Sequence, residues 1–276
     1  MPWRSSSSRL NEERRRDMLP DTLVIDTHAH LEMRAFDRDR DAVVQRAQDA
    51  GVRYIVTVGT TLGECRKAIS IAGRYESVYA VIGIHPHEVK HIDGQTYDAL
   101  KALAKSPKVV AYGEIGLDFF RNLSPRNWQI KRFEEQLEVA DALGLPVVIH
   151  DRDAHQETVN ALKRRKGNQR GVIHCFSGDE AMARQCLDMG FYISIPGTIT
   201  FDKNDRLRSI VRRLPLTSLL VETDCPYLTP VPKRGKRNEP SYVLYTARCV
   251  SEIKGLSFEE VARVTSDGAK ALFGIG

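Results

Sequence analysis

Short apolar segments recur along the chain from Leu23 onward, and longer amphipathic segments separate them. This alternation is typical of repeated strand–helix units and predicts an α/β protein with a parallel sheet. Either a closed (β/α)8 barrel, known as a TIM barrel, or a large open doubly wound sheet fits this pattern. The eight predicted strands are residues 22–27, 53–59, 78–84, 109–113, 146–149, 171–173, 191–195 and 218–223.

Two of the amphipathic segments carry helix start and stop signals. Ser124 and Pro125 are predicted to be the N-cap and the first residue of a helix that ends at Gly144. Ser257 and Glu260 have the spacing of a capping box before the last helix. The predicted apolar faces are Ile130, Phe133, Leu137 and Ala140 in the first of these helices, and Val261, Val264 and Leu272 in the last.

Histidine or carboxylate residues follow six of the eight predicted strands. Neighbouring strands lie ~4.8 Å apart, so in an open sheet the first and sixth strand ends would be far from each other. Closing the sheet into a barrel points all eight carboxyl ends at one mouth. We therefore expect a single (β/α)8 barrel over residues 21–276. The residues concerned are His28, His30, His85, Glu114, His150, His174 and Asp224.

The types of these residues indicate a metal centre. His28 and His30 are two apart, so both side chains leave an extended chain on the same face. Glu114 has enough lone pairs to contact two cations at once. His150 and His174 end consecutive strands. Together with Asp224, these ligands exceed what one cation needs, which favours a binuclear hydrolase site in which water is the nucleophile.

Other residues are candidates for water activation and substrate binding. Asp224 is predicted to bind metal or to steer the attacking water, and Glu222 either orients a ligand or forms a structural ion pair. Arg152 and Arg237 are candidates for holding phosphate, because guanidinium groups match phosphate oxygens. His85 is either a substrate-side polar group or part of the loop structure. The arginines at 206, 208, 212 and 213 are expected on a solvated helix face.

Composition narrows the class of protein. The chain has 276 residues, 42% of them hydrophobic and 28% charged, which excludes collagen-like and disordered chains. It contains no apolar stretch of membrane-spanning length and no signal sequence, so we expect a cytoplasmic protein without a membrane partner. Five scattered cysteines without a CxxC pair make a disulfide scaffold or thiolate zinc site a poor interpretation. A net charge of +5 is too small to indicate nucleic-acid binding by itself.

Residues 1–20 lack a hydrophobic period and contain Ser5 to Ser8 and Arg14 to Arg16. We expect a flexible, disordered arm outside the barrel domain. The arm contains no candidate ligand. Deleting residues 1–17 is therefore predicted to leave turnover and metal content intact, and measuring both on the truncated protein checks this.

Seven ordered motifs closely resemble those of the TatD family of metal-dependent deoxyribonucleases, a group of amidohydrolase-like barrels. The match runs from about Leu23 to Phe273. The motifs are DTHAHL at 26–31, GIHPH at 83–87, GEIGLDF at 113–119, PVVIHDRDA at 146–154, VIHCFSG at 172–178, VETDCPYLTP at 221–230 and RNEP at 237–240.

The resemblance implies a ligand assignment and an activity. One cation would lie among His28, His30, Glu114 and Asp224, and the other among Glu114, His150 and His174. The implied activity is phosphodiester hydrolysis of DNA, commonly from a 3′ end. The chain is expected to need two divalent cations, Mg²⁺ or Mn²⁺ for activity with Zn²⁺ or Ni²⁺ as alternatives, and no obligate protein partner.

Two other functions remain open from the residues alone. An amidohydrolase or esterase could use the same binuclear site on a small molecule, because barrels of this kind support several hydrolyses. A metal-stabilised binding or scaffold barrel without turnover is a further alternative, although its ligand set would not need to be complete.

Overall fold

The computed structural model describes residues 23–165 and 170–276. Eight strands form one parallel sheet in the order β1 to β8, so each strand pairs with its neighbours in the chain. The strands are β1 (Val24–Ala29), β2 (Val52–Gly59), β3 (Val78–Ile82), β4 (Val109–Asp118), β5 (Val147–Arg152), β6 (Gly171–Ile173), β7 (Phe191–Ile195) and β8 (Leu219–Val221).

The sheet closes on itself at its carboxyl edge. Ala29 of β1 pairs in parallel with Cys225, in the segment that follows β8. The Asp224 amide donates to the carbonyl of His28 (2.9 Å), and the His30 amide donates to the carbonyl of Cys225 (2.8 Å). The predicted (β/α)8 barrel is therefore confirmed, and the open doubly wound sheet is excluded.

Nine α-helices lie between or after these strands within the described residues. Ser257 caps the last of them, accepting a hydrogen bond from the Glu260 amide (3.1 Å), and Gly144 ends the fourth in a left-handed conformation. The helices are α1 (Arg40–Asp49), α2 (Leu62–Arg74), α3 (Gly94–Leu103), α4 (Arg126–Leu143), α5 (His155–Arg164), α6 (Glu180–Asp188), α7 (Asp205–Arg213), α8 (Val243–Lys254) and α9 (Phe258–Phe273).

The apolar core has two layers, because successive strand residues point to opposite faces. The larger layer lies between the strands and the surrounding helices. The smaller layer fills the barrel interior, where Val56, Val81 and Val148 pack together with Leu272 and Phe273 of α9. The polar residues lie beyond this apolar layer, at the carboxyl end of the barrel.

Two details differ from the sequence predictions. β1, β4 and β5 extend beyond their apolar segments, so His28, Glu114 and His150 lie within strands rather than after them. The strands extend through these polar residues because their backbones remain paired. For example, Gly116 of β4 is paired with His150 of β5. Ser124 is not the N-cap of α4, since its hydroxyl donates instead to the carbonyl of His87 (2.7 Å).

The predicted arm, residues 1–20, lies outside the described residues. No helix within 23–165 or 170–276 is both long enough and apolar enough to cross a bilayer.

Candidate metal centre

The predicted ligands converge at the carboxyl end of the barrel, at the base of a cavity of about 910 Å³. Glu114 lies at the middle of this group and is almost completely buried. Its two carboxylate oxygens face different sets of imidazoles. This division separates the surrounding ligands into two groups.

The first group surrounds Oε2 of Glu114. Nε2 of His28 lies 3.4 Å from this oxygen, and Nε2 of His30 lies 3.9 Å from it. The two Nε2 atoms are 3.3 Å apart. Oδ1 of Asp224 completes the group, 3.4 Å from His30 Nε2 and 3.9 Å from His28 Nε2.

The second group surrounds Oε1 of Glu114. Nδ1 of His150 lies 2.6 Å from this oxygen, Nε2 of His174 lies 2.8 Å from it, and Nε2 of His85 lies 3.4 Å from it. The structure thus brings all six predicted ligands together, with Glu114 between the two groups. It also brings His85 into the second group, although the sequence predicted a substrate-side or loop residue and not a metal ligand.

Three of the imidazoles have a carboxylate next to the ring nitrogen that points away from Glu114. Glu32 Oε1 is 3.1 Å from Nδ1 of His30, and Asp118 Oδ2 is 3.2 Å from Nε2 of His150. Glu222 Oε1 is 3.3 Å from Nδ1 of His174. Carboxylates in this position fix the tautomer and orientation of metal-binding imidazoles and raise their basicity.

The electrostatics favour positive charge at the centre. Burial opposes ionisation of Glu114, but His174 and His85 together with hydrogen bonding hold its pKa well below the usual range. The pKa of Asp224 is also lowered, since its contact with His30 and the charges of His174 and His30 outweigh burial. Both carboxylates are therefore ionised at neutral pH.

The imidazoles respond to the same carboxylates. Burial lowers the pKa of His30, yet Glu32 and Asp224 outweigh it and raise the pKa well above its usual value. Glu114 and Glu222 do the same for the pKa of His174. Burial wins at His85 and lowers its pKa to about 4. The anionic residues thus stabilise a positive charge at this point of the barrel.

This donor set fits divalent cations. Each oxygen of Glu114 lies beside two or more ring nitrogens, and groups of three donor atoms lie within 4.8 Å of one another. Buried ring nitrogens that face each other at 3.3 Å, such as those of His28 and His30, cannot both be acceptors unless a proton or cation lies between them. A mixture of imidazole and carboxylate donors suits Zn²⁺, Ni²⁺ and Mn²⁺.

Two buried hydrogen bonds between Asp26 and Thr223, the Asp26–Thr223 clamp, position the first group of ligands relative to the segment after β8. The carboxylate of Asp26 accepts hydrogen bonds from the amide of Thr223 (2.9 Å) and from its hydroxyl (2.6 Å). Burial raises the pKa of Asp26 to about 8. The clamp joins the strand that carries His28 to the segment that carries Asp224.

The substrate residues predicted from sequence have different environments. Arg152 lines the cavity. Arg237 lies outside the lining, and its guanidinium donates to both carboxylate oxygens of Asp39 (2.8 and 2.7 Å). Arg237 could bind phosphate only if its ion pair with Asp39 opened. Its role in phosphate binding stays a prediction. Arg206, which was expected on a solvated helix face, lines the cavity together with Arg121.

Sequence reasoning missed Glu32 and Asp118. Glu32 lies two residues after His30, directly after the DTHAHL motif, and Asp118 lies four residues after Glu114 within the GEIGLDF motif. That spacing was the available signal. Even spacings place two residues on one face of an extended chain, but Glu32 lies in the turn that follows β1, so the signal was weak for this residue.

The chain matches the family model described as TatD related DNase over residues 25–274. It belongs to the TatD family. A relative from Bacillus subtilis (strain 168), the uncharacterized metal-dependent hydrolase YabD, is 41% identical, and the match covers 92% of this chain and 100% of that protein.

Further similarities agree with membership of the TatD family. The 3′-5′ ssDNA/RNA exonuclease TatD of Citrobacter koseri is 38% identical, over 91% of this chain and 99% of that protein. The crystal structure of YjjV, a TatD homologue from Escherichia coli K12, superposes with a TM-score of 0.88 at 31% identity. The superposition covers 94% of this chain and 100% of the YjjV chain. The TatD-family relatives are thus matched along nearly their whole length.

Proposed function

We propose that this TatD-family protein is a metal-dependent nuclease that hydrolyses phosphodiester bonds at the ends of single-stranded nucleic acid, with DNA as its substrate. The observation that carries this proposal is the position of Glu114 between two ligand groups, beneath a cavity that Arg152 lines. The Citrobacter relative, named a 3′-5′ ssDNA/RNA exonuclease, supports the choice of substrate.

Two divalent cations are proposed, with Glu114 shared between them. His28, His30, Glu114 and Asp224 would hold the first, and Glu114, His150 and His174 would hold the second. Mg²⁺ or Mn²⁺ suits the phosphate chemistry, and Zn²⁺ or Ni²⁺ suits the imidazoles. When bound, such cations polarise the phosphate, lower the pKa of water and stabilise the leaving oxygen.

The residues of the chain then perform defined tasks. Asp224 orients the attacking water as a hydrogen-bond acceptor, because its lowered pKa keeps the carboxylate ionised at neutral pH. Arg152 donates to the substrate phosphate from the cavity wall. Glu32 and Asp118 keep their imidazoles in one orientation, which preserves the geometry of the centre between turnovers.

His85 is proposed to act on the substrate side of Glu114. Its Nδ1 accepts a hydrogen bond from the amide of His87 (3.1 Å), so the neutral ring carries its proton on Nε2. With a pKa of about 4, this ring stays neutral in the reaction. Its one N–H, on Nε2, lies 3.4 Å from Oε1 of Glu114, so it can donate one hydrogen bond to that oxygen or to a substrate oxygen beside it without adding a charge.

The test is a cleavage assay on purified protein. Single-stranded DNA labelled at either end is incubated with Mg²⁺ or Mn²⁺, and a panel of amides and carboxylic esters is assayed in parallel. We expect stepwise shortening of DNA that requires metal, and no shortening by Glu114→Gln. Metal-dependent turnover of an amide or ester without DNA cleavage would establish the small-molecule hydrolase instead. Binding of DNA without turnover of any substrate would favour the scaffold.

A further inference from the structure

Two large aromatic side chains are exposed near the cavity: Tyr227, 54% exposed, lines it, and Phe120, 57% exposed, contacts Arg152 of its lining. We infer that Tyr227 and Phe120 are stacking surfaces for the nucleobases of the substrate. This inference rests on the proposed nuclease function. It assigns recognition of the bases to two residues that have no part in the metal centre.

Tyr227 lies at the β8 side of the mouth and is held in place by its backbone. Its amide donates to the carbonyl of Asp224 (3.0 Å), and its carbonyl accepts from the side-chain amide of the buried Asn238 (2.5 Å). The ring lines the cavity and stands edge-on to His30, with the ring centroids 6.5 Å apart. The backbone that carries this exposed ring is thus held beside one of the proposed ligands.

Phe120 lies two residues beyond the end of β4. The guanidinium carbon of Arg152 lies 4.1 Å from the centroid of its ring, which is a close cation–π contact. Arg152, which lies over the ring, and Arg121, which is the next residue in the chain, both line the cavity. Phe120 is therefore part of the same rim and supports the guanidinium proposed to hold phosphate.

The topology places the two rings on opposite sides of the mouth. In a closed barrel with the strand order β1 to β8, β4 and β8 are four strands apart and face each other. A chain that crosses the cavity from Phe120 to Tyr227 passes over Glu114 and Asp224. Its bases have an aromatic surface at both ends of the path, and its phosphates lie between them.

This arrangement fits an unstacked single strand. Every nucleobase has a π face, so stacking on aromatic side chains tolerates any sequence. In a duplex these faces are already stacked on neighbouring bases. Small phosphodiesters without bases offer no π face that could stack on Tyr227 or Phe120.

The experiment compares two substrates of equal charge, a short oligodeoxythymidylate and an abasic oligomer of the same length. The value of kcat/KM is measured on both, and binding is followed separately by fluorescence anisotropy in chelator. We expect wild type to prefer the base-bearing oligomer about tenfold or more, the size of one base–aromatic stack. Tyr227→Ala and Phe120→Ala should each reduce this preference in both readouts, and Tyr227→Phe should keep it.

The matched control is Leu256→Ala, which removes an exposed apolar side chain outside the cavity lining and should keep the wild-type preference. Equal activity and binding of wild type on both oligomers would overturn the stacking inference while leaving the nuclease intact. A loss in Tyr227→Phe as large as that in Tyr227→Ala would also overturn it, because the hydroxyl would then be the contact. Failure of wild type to cleave either oligomer would instead contradict the nuclease function.

Discussion

Glu114 is the residue whose two oxygens separate the ligand groups, and its replacement is the most direct test at the residue scale. We expect Glu114→Ala to lose at least one of two cations, because the negative charge that offsets two dications disappears. His174→Ala should weaken mainly the second site and His28→Ala mainly the first. Elemental analysis of each purified variant measures the stoichiometry. A Glu114→Ala protein with two tightly bound cations and near-normal hydrolysis would contradict the assignment.

Glu32 tests the carboxylates behind the imidazoles. Glu32→Gln keeps the shape of the side chain but removes the charge that attracts His30, whose Nδ1 lies 3.1 Å from it. Metal affinity should fall about 10–100-fold. Isothermal titration with Mn²⁺ measures this, and Glu135→Gln is the control, since Glu135 pairs with Tyr97 and Arg132 away from the cavity. Unchanged affinity in Glu32→Gln would show that Val58, whose carbonyl also contacts His30, is sufficient.

At the scale of secondary-structure elements, the pairing of β4 with β5 determines where the second ligand group lies. Gly116 has φ +140°, and a Cβ there would lie 2.0 Å from the carbonyl oxygen of His150. Only glycine fits both the conformation and the close approach. The strand that carries Glu114 can therefore lie directly against the strand that carries His150.

Gly116→Ala should separate these strands. We expect it to lower the free energy of unfolding by about 1–3 kcal/mol or more, the usual cost of overpacking, and to weaken metal binding. Denaturant titration and metal analysis measure the two effects. The control is Gly73→Ala in α2, where a Cβ meets no atom within 4 Å, so stability should stay equal or rise by up to about 1 kcal/mol. Equal stability of both variants would contradict the close-approach argument.

The metal centre joins distant parts of the chain at the scale of the whole molecule. Its proposed ligands come from β1, β4 and β5 and from the segments that follow β1, β6 and β8. Cations bound by the proposed ligands would hold the two ends of the sheet and its middle together. Folding and metal binding are then linked, since the unfolded chain has no such site.

Removing the metal should therefore destabilise the protein. We expect chelation to lower Tm by about 5 °C or more, since saturation at a hundred times Kd contributes about 2.7 kcal/mol. Differential scanning calorimetry with and without chelator measures the shift. The shift should shrink in Glu114→Ala. An unchanged Tm in protein shown to contain metal would mean that the centre contributes nothing to folding.

The sequence by itself determined the barrel and the convergence of the ligands. Apolar segments such as 171–173 and 191–195 match their strands, because buried parallel strands need continuous apolar runs. The ligands were identifiable because polar residues next to such runs stand out. Closure of the sheet was predicted from these residues, because only a closed barrel brings the carboxyl ends of all their strands to one mouth.

Only the tertiary structure decided which side chains meet across the barrel. Glu32 and Asp118 became recognisable when their oxygens were found beside His30 and His150. The sequence made Arg237 a candidate for binding phosphate, but the fold pairs its guanidinium with Asp39, which is distant in the chain. These contacts depend on side-chain direction and on the closure of the sheet. The positions of apolar and polar residues predict that the sheet closes, but they do not encode which side chains then meet.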